Sequence, residues 1–415
     1  MSDRNIVVGL DVGTTKVAVC VGQISEGLIH ILALTKAPNN GLRKGIVVDI
    51  EECVSSISGA LEHAERTAGV PLDHAVVGIG GSHIVASGSK GVIAVSRPDG
   101  EINQSDIERV LEAARVIALP PNREILHIIP RQYIVDGQDG IKDPTGMTGI
   151  RLEVETLAVG GSSTAIKNLT KCVFQAGLEI DSLVYGPLAT ARTLLNRKQR
   201  ENGVALIDLG GGTTSLAVFE EDDLVHTTVL PIGSLHITND LAIGLRVSLE
   251  TAEKIKLQFG TAHKESVKET EKIDLNKLDP DEDQRIERKL VAEIIDARLK
   301  EIFTMIRDEL RSIGKDGMLP AGVIFTGGGT LLDGLVDFAK EELHLPAQVG
   351  KPSLELSGMV DKLDHPVYAS SIGLMLQGLE GNHSPQTHGT NRLALPSSMN
   401  GMVDKVKDAI KQFLP

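Results

Sequence analysis

Apolar and polar positions alternate in three early runs, residues 5–10, 16–22 and 28–37, and this period of two predicts three strands joined by tight turns. Over 50–68 the period lengthens to that of a helix, which Gly69 and Pro71 end. The texture changes again over 75–159. Short alternating runs (AVVGIGG, HIVASG, GVIAVS), a helix opening at Ser105 with Glu108 placed as in a capping box, and a strand at 125–129 predict a small inserted α+β subdomain. Helices over 163–176 and 188–197 lead to a second strand unit beginning at Val204. Helical patterns over 249–259 and 284–313 follow, separated by a mixed-charge stretch, 263–285, that reads as a surface excursion or short hairpin. Residues 321–335 predict a buried strand, a glycine turn and a helix start, and a last helix covers 369–379. Residues 381–397, polar with Gly and Pro, predict a flexible linker.

One pattern occurs twice. DVGTTKVAV (11–19) and DLGGGTTSLAV (208–218) each follow an apolar strand, and GLIHILALTKA (27–37) and DLVHTTVLPIG (223–233) continue them in parallel. A repeated supersecondary unit predicts two related half-domains. The expected partition is a first half-domain core at 1–74, continued at 160–200 and about 355–380, with the insert at 75–159. The second core covers 201–248 and about 314–354, with a helical subdomain at 249–313 between.

Composition narrows the function. A chain of 415 residues that is 41% hydrophobic can bury more than one core, and with no Trp, three Tyr and seven Phe that core is aliphatic. The same scarcity removes the stacking platforms of a single-strand binder, and a charge of −14 repels phosphate backbones, so nucleic acid is excluded as a partner. Cys20, Cys53 and Cys172 form no CxxC pair and read as small buried hydrophobes in a reducing compartment. The apolar run before Asp11 is too short for a signal peptide, and no run approaches a membrane span, which predicts a cytoplasmic location.

The candidate chemistry sits in the glycine turns. Glycine lets backbone N–H groups approach phosphate oxygens, and hydroxyls at Thr14, Thr15, Thr213 and Thr214 can add donors. Two facing turns would clamp a polyphosphate between the half-domains. Asp11 and Asp208, each ending a strand before its turn, are placed to hold Mg²⁺ through its water shell. A third turn, Gly327, Gly328 and Gly329, could let an adenosine lie against the backbone.

These motifs resemble the actin, Hsp70 and sugar kinase superfamily: 11–15 its first phosphate motif, 208–213 its second, 325–332 its adenosine motif, the likeness covering 5–380. The resemblance implies an α/β actin-like ATPase fold around a nucleotide cleft, binding ATP with Mg²⁺. Its binding set would be Asp11, Gly13, Thr14, Thr15, Lys16, Asp208, Gly210, Gly211, Gly212 and Thr213 at the phosphates and metal, with the turn at Gly327 under the adenosine. Glu253 would reach the ribose and Lys256 the adenine side. Strand alternation turns Lys16 away from Val17, Val19 and Val21, toward phosphate or solvent. The chain departs from hydrolytic relatives at Gly186, where they carry Glu before Pro, and at Ser215, where they carry a second Asp. Lacking groups to position a water, it is expected to bind ATP tightly and hydrolyse it slowly or not at all.

Within the superfamily the chain is too short for a chaperone's peptide domain, and no acceptor site with a general base is evident for a kinase. The insert's position, with GLRKGIVVDIEE (41–52) and HIIPRQYIVDGQDGIKDPTGMTG (127–149), closely resembles the FtsA family of cell-division proteins. On a helical period Met399, Met402, Val403, Val406, Ile410, Phe413 and Leu414 share one face of a C-terminal amphipathic helix, 398–415, suited to lying in a membrane interface. The resemblance implies a peripheral protein on the cytoplasmic face of the inner membrane at the division septum, self-associating into an actin-like filament and tethering FtsZ. Other division proteins are expected partners as well. Arg298 is the residue expected to contact the acidic C-terminal peptide of FtsZ. Alternatives are a pilus-assembly scaffold of the PilM type and a small-molecule kinase.

Overall fold

The computed structural model describes residues 6–25, 28–117, 121–280, 282–352, 356–358 and 362–381. Two sheets carry the repeat. In the first half a 6-stranded sheet runs in the order Glu179–Tyr185, His74–Ile79, Ile6–Val12, Lys16–Ser25, Leu28–Pro38, Leu356–Gly358. In the second a 5-stranded sheet runs Ala347–Val349, Val323–Thr326, Val204–Leu209, Thr214–Glu220, Asp223–Leu230. Each is an antiparallel meander of three strands, joined on the side of its first strand by two parallel strands. Parallel neighbours require crossovers, and each half elaborates a different one. The first half places the inserted subdomain between its two parallel-side strands, His74–Ile79 and Glu179–Tyr185. The second places its helical subdomain earlier, between the meander and Val323–Thr326.

The expected boundary of the insert at 75 is corrected. His74–Ile79 pairs in parallel with both Ile6–Val12 and Glu179–Tyr185 and is nearly all buried, so it belongs to the half-domain sheet. The insert's own 4-stranded sheet begins at Val85 and ends at Ser162. Its helix, Gln104–Ile117, is also capped two residues earlier than expected: the Asn103 side chain accepts from the Asp106 N–H at 3.1 Å, and the Asp106 carboxylate accepts from the Asn103 N–H at 3.2 Å.

Two helices, Gly186–Leu194 and Ala369–Gly381, pack between the halves. Their approach depends on glycine: a Cβ on Gly373 would lie 1.9 Å from the Ala189 carbonyl oxygen, and one on Gly9 2.1 Å from that of Ser371. In the helical subdomain, Arg288–Ser312 buries one stripe from Val291 to Leu310. The charged stretch forms a hairpin, Lys272–Asp274 against Arg285–Glu287, seated by buried Val267, Ile273 and Leu275. Cys20, Cys53 and Cys172 are free and buried, and burial pushes the Cys53 thiol up to about 12, as expected of inert hydrophobes.

The insert is fixed to the second half by Lys142, which pairs with Asp223, and to the first by a buried histidine. The Tyr185 N–H, at the start of the first inter-half helix, donates to His127 Nε2 of the insert at 2.9 Å, and burial holds that imidazole neutral, its pKa lowered to about 4. The fully buried Tyr185 hydroxyl meets Thr227 Oγ1 of the second half at 2.8 Å.

Candidate functional site

Each half ends its first strand in the same turn. The Gly13 N–H donates to the Lys16 carbonyl at 2.9 Å, and the Gly210 N–H donates to the Thr213 carbonyl at 3.0 Å. Ladder pairs fix the alignment, with Asp11 opposite Ala18 and Asp208 opposite Ser215. The threonines of the two motifs are therefore not equivalent. Thr14 and Thr15 match Gly211 and Gly212, and Lys16 matches Thr213. Thr214 is already in the next strand, fully buried, its hydroxyl donating to the Ile232 carbonyl at 2.8 Å, so it adds no donor to the turn.

The turns face each other across the cleft. A Cβ on Gly211 would lie 2.5 Å from Thr15 Cγ2, and one on Gly212 2.8 Å from Thr14 Oγ1. Among the described residues, the backbone N–H groups of Thr14, Thr15, Gly211 and Gly212 have no protein acceptor. Opposed turns with such free donors form a concavity suited to an anion. A strap over 39–47 holds the first turn in place. The Asn39 amide donates to the Gly13 carbonyl at 2.7 Å, the Asn39 N–H donates to the Thr15 carbonyl at 3.0 Å, and the Gly45 N–H donates to Thr14 Oγ1 at 3.1 Å. Sequence reasoning missed Asn39. The dipeptide Asn39-Asn40 before Gly41 signals a turn, but a bond reaching 26 residues back leaves no periodic trace.

Asp11 and Asp208 end equivalent strands at this concavity, and Lys16 Nζ lies 3.5 Å from Asp11 Oδ2. Burial pushes the Asp208 carboxyl up to about 6; Lys16 opposes the rise and the Asp11 charge adds to it. Two carboxylates brought to one cleft from opposite halves, one of them raised by burial, are a setting that a hydrated divalent cation would relieve. Among the described residues no group of three or more His, Cys, Asp or Glu could hold a metal by protein ligands alone. The donor set fits a cation that keeps its waters and shares phosphate oxygens.

The turns and aspartates open into one cavity of about 690 Å³, which also takes in Lys16, Glu253, Lys256 and Gly327 to Gly329. Gly327, at φ 87°, abuts Asp208: a Cβ there would lie 2.2 Å from Oδ1. Glu253 and Lys256 line the cavity but are already engaged. Lys256 Nζ lies 2.7 Å from Glu253 Oε2 and donates to Thr238 Oγ1 at 2.8 Å, while the Thr238 hydroxyl donates to Glu253. Gly186 and Ser215 line the same cavity and bring no carboxylate to it.

Arg298 is not part of this cavity. Its guanidinium donates to both carboxylate oxygens of Asp240, at 2.5 and 2.8 Å, and also pairs with Glu301, which raises its already high pKa through Asp240 first. The tail positions Met399, Met402, Val403, Val406, Ile410, Phe413 and Leu414 and the linker 382–397 lie outside the described residues. No helix among the described residues is long and apolar enough to cross a membrane.

Comparison with known proteins fits this architecture. The family model "Cell division protein FtsA" matches residues 205–373, and "SHS2 domain inserted in FTSA" matches 81–159, which overlaps the insert's sheet at Val85–Ser162 and leaves out His74–Ile79. The chain is 38% identical to cell division protein FtsA of Pseudomonas aeruginosa, over 90% of this chain and 89% of that protein. It is 40% identical to that of Bacillus subtilis, over 90% and 84%. Among solved structures, a PilM–PilN type IV pilus biogenesis complex aligns at TM-score 0.67 and 17% identity, covering 90% of this chain and 98% of that one. MreB 5 of Spiroplasma citri bound to AMPPNP aligns at 0.52 and 13%, covering 92% and 98%. These distant structures share the fold alone. Identity at this level across the curated relatives, with the matching insert, shows that the chain belongs to the FtsA family of cell-division proteins, on an actin-like fold.

Proposed function

We propose that the protein binds ATP with Mg²⁺ between its two turns, polymerises in that state on the inner face of the cytoplasmic membrane, and tethers FtsZ there. The facing turns carry this reading, because they offer free backbone N–H donors from both halves beside Asp11 and Asp208. In this reading Thr14, Thr15, Gly211, Gly212 and Lys16 bind the phosphates. Asp11 and Asp208 hold Mg²⁺ through water, and the cation supplies neutralising charge between phosphate oxygens. Gly327, Gly328 and Gly329 lie along the adenosine. The MreB 5 structure, of the same fold, carries AMPPNP, which supports a nucleotide in this cleft. Gly186 and Ser215 bring no carboxylate at the two positions from which relatives orient an attacking water, so turnover is slow.

The C-terminal helix 398–415 anchors the protein. Its side chains sum to a net +1 from three Lys and two Asp. One such helix binds a bilayer weakly, and a filament carrying one on every subunit raises the effective concentration of each. The helical subdomain receives the FtsZ C-terminal peptide, with Arg298 exchanging Asp240 for an acidic peptide side chain. No observation favours the pilus scaffold over this reading, since the PilM likeness is one of fold. A small-molecule kinase would show ATP consumption that rises with an added acceptor.

The decisive experiment is vesicle co-sedimentation of FtsZ with the protein in MgATP, comparing the full chain with one lacking 398–415. FtsZ is expected to pellet with lipid only when the tail is present. FtsZ left in the supernatant while the full chain pellets would overturn the tether.

A further inference from the structure

The insert leaves the first half and returns to it with little slack. Between the half-domain strand that ends at Ile79 and the insert strand that begins at Val85, the Ser82 N–H donates to the Lys44 carbonyl at 3.0 Å, and Arg123 donates to the His83 carbonyl at 2.8 Å. At the return, Ser162 ends the insert's last strand and Ser163 opens the helix Ser163–Gln175. A body rooted this closely moves with the half that carries it.

The insert also rests on the other half. Asp223–Leu230 is an edge strand of the 5-stranded sheet, and three insert strands, Val85–Ala94, Arg123–Val135 and Arg151–Ser162, pack along it. A covered edge is protected from pairing with foreign strands. This seam is apolar inside and charged at its rim. Leu157 of the insert is buried in one cluster with Phe219 and Leu224 of the second half, and Val229 packs against the cluster of Ile84, Val159 and Tyr185. At the start of the edge strand, Lys142 of the insert pairs with Asp223. The seam is made in the same arrangement in which the phosphate turns press on one another, a Cβ on Gly211 reaching 2.5 Å from Thr15 Cγ2.

Resting on the nucleotide reading of the cleft, we infer that the insert is a brace between the halves: rooted in the first and seated on the edge strand of the second, it holds the cleft closed on its nucleotide. Release then requires the seam to part, because the second half cannot rotate away while its edge strand stays against a body fixed to the first. The apolar contacts supply most of the hold, and the ion pair at the rim fixes the seating. A ligand of the insert that favours the unseated position would speed release to the extent of that preference.

The test measures release from the full chain, preloaded with MgATP carrying a fluorescent group on the ribose and chased with unlabelled MgATP. Lys142→Glu and Asp223→Lys are each expected to release about threefold faster, as loss of an exposed ion pair allows, and the double variant carrying both to return to the natural rate. A variant with Lys142→Cys and Asp223→Cys, joined by a short bismaleimide, should release about tenfold more slowly than the same variant left unjoined; Cys20, Cys53 and Cys172 are buried away from the reagent. A joined protein that releases at the unjoined rate would overturn the brace and leave the nucleotide reading standing. Faster release in the single variants that the double variant does not restore would also overturn it. A natural protein that takes up no MgATP would overturn the nucleotide reading itself.

Discussion

The two turns share one backbone and differ in what they carry. The first brings hydroxyls and an ammonium, at Thr14, Thr15 and Lys16. The second brings bare backbone at the matching Gly211 and Gly212, with Thr213 where the first has Lys16. The difference is complementary, since the threonines of one turn occupy the space that side chains on the other would need. Duplication supplied the geometry, and divergence let the copies close against each other. Each half gives N–H donors, but one supplies side-chain chemistry and the other clearance.

The comparison is broken most severely by restoring a side chain to the bare turn. Gly212→Val should reduce MgATP affinity by about 100-fold or more, as displacement of a positioned group by an ångström does, whereas Thr15→Gly should cost only a few-fold; calorimetric titration measures both. Equal effects would show that the turns do not press on one another.

The next effect concerns the aspartates. The folded Asp208 carboxyl, raised to about 6 from the ordinary carboxylate value of 3.8, keeps its proton between about pH 4 and 6 while the unfolded chain has lost it. The folded state then binds more protons, so nucleotide-free stability falls as pH rises through that window and stays lower above it. Asp208→Asn should remove this slope and raise the nucleotide-free melting temperature at pH 7 by a few degrees, on the order of the shift for about 1 kcal/mol, while weakening Mg²⁺-dependent ATP binding. Melting curves from pH 4 to 7 that run parallel for both proteins would refute the assignment.

The smallest effect tests the match of Lys16 with Thr213. Lys16→Ala should weaken MgATP binding about tenfold through loss of one close charge, and Thr213→Ala by about twofold. A larger loss at Thr213 would mean that the second turn, and not the first, carries the side-chain chemistry.

Much of this was legible in the chain. Strand alternation and helical period found the meanders, the last helix and the long helix of the second half, because an amphipathic face leaves a regular mark. Two glycine turns were found because their pattern repeats, and the third because a glycine run closes a buried strand. What escaped was set by contacts distant in sequence. The strand His74–Ile79 looks like the start of the insert because a strand buried on both faces has the same composition in either sheet, and only its parallel pairing assigns it. The match of Thr14 with Gly211 was hidden because the text aligns by letter and the ladder by register. Lys256 lines the cavity where the resemblance puts it, but its bond to Thr238, 18 residues earlier, leaves no periodic trace in the chain.

The site of the insert has a consequence for the order in which the chain folds. His74–Ile79 and Glu179–Tyr185 must pair in parallel across about a hundred intervening residues, a closure that is entropically costly and kinetically slow when the intervening chain is loose. The insert has its own core, with Val95, Ile102, Val110, Tyr133 and Leu152 buried between its sheet and its helix. Once that unit has formed, the ends of the excursion are held near one another and most of the closure entropy has already been spent. A subdomain inserted within a crossover thus acts as a splint for the sheet it interrupts, and the last parallel strand of the first half waits on a module that contributes no strand to it.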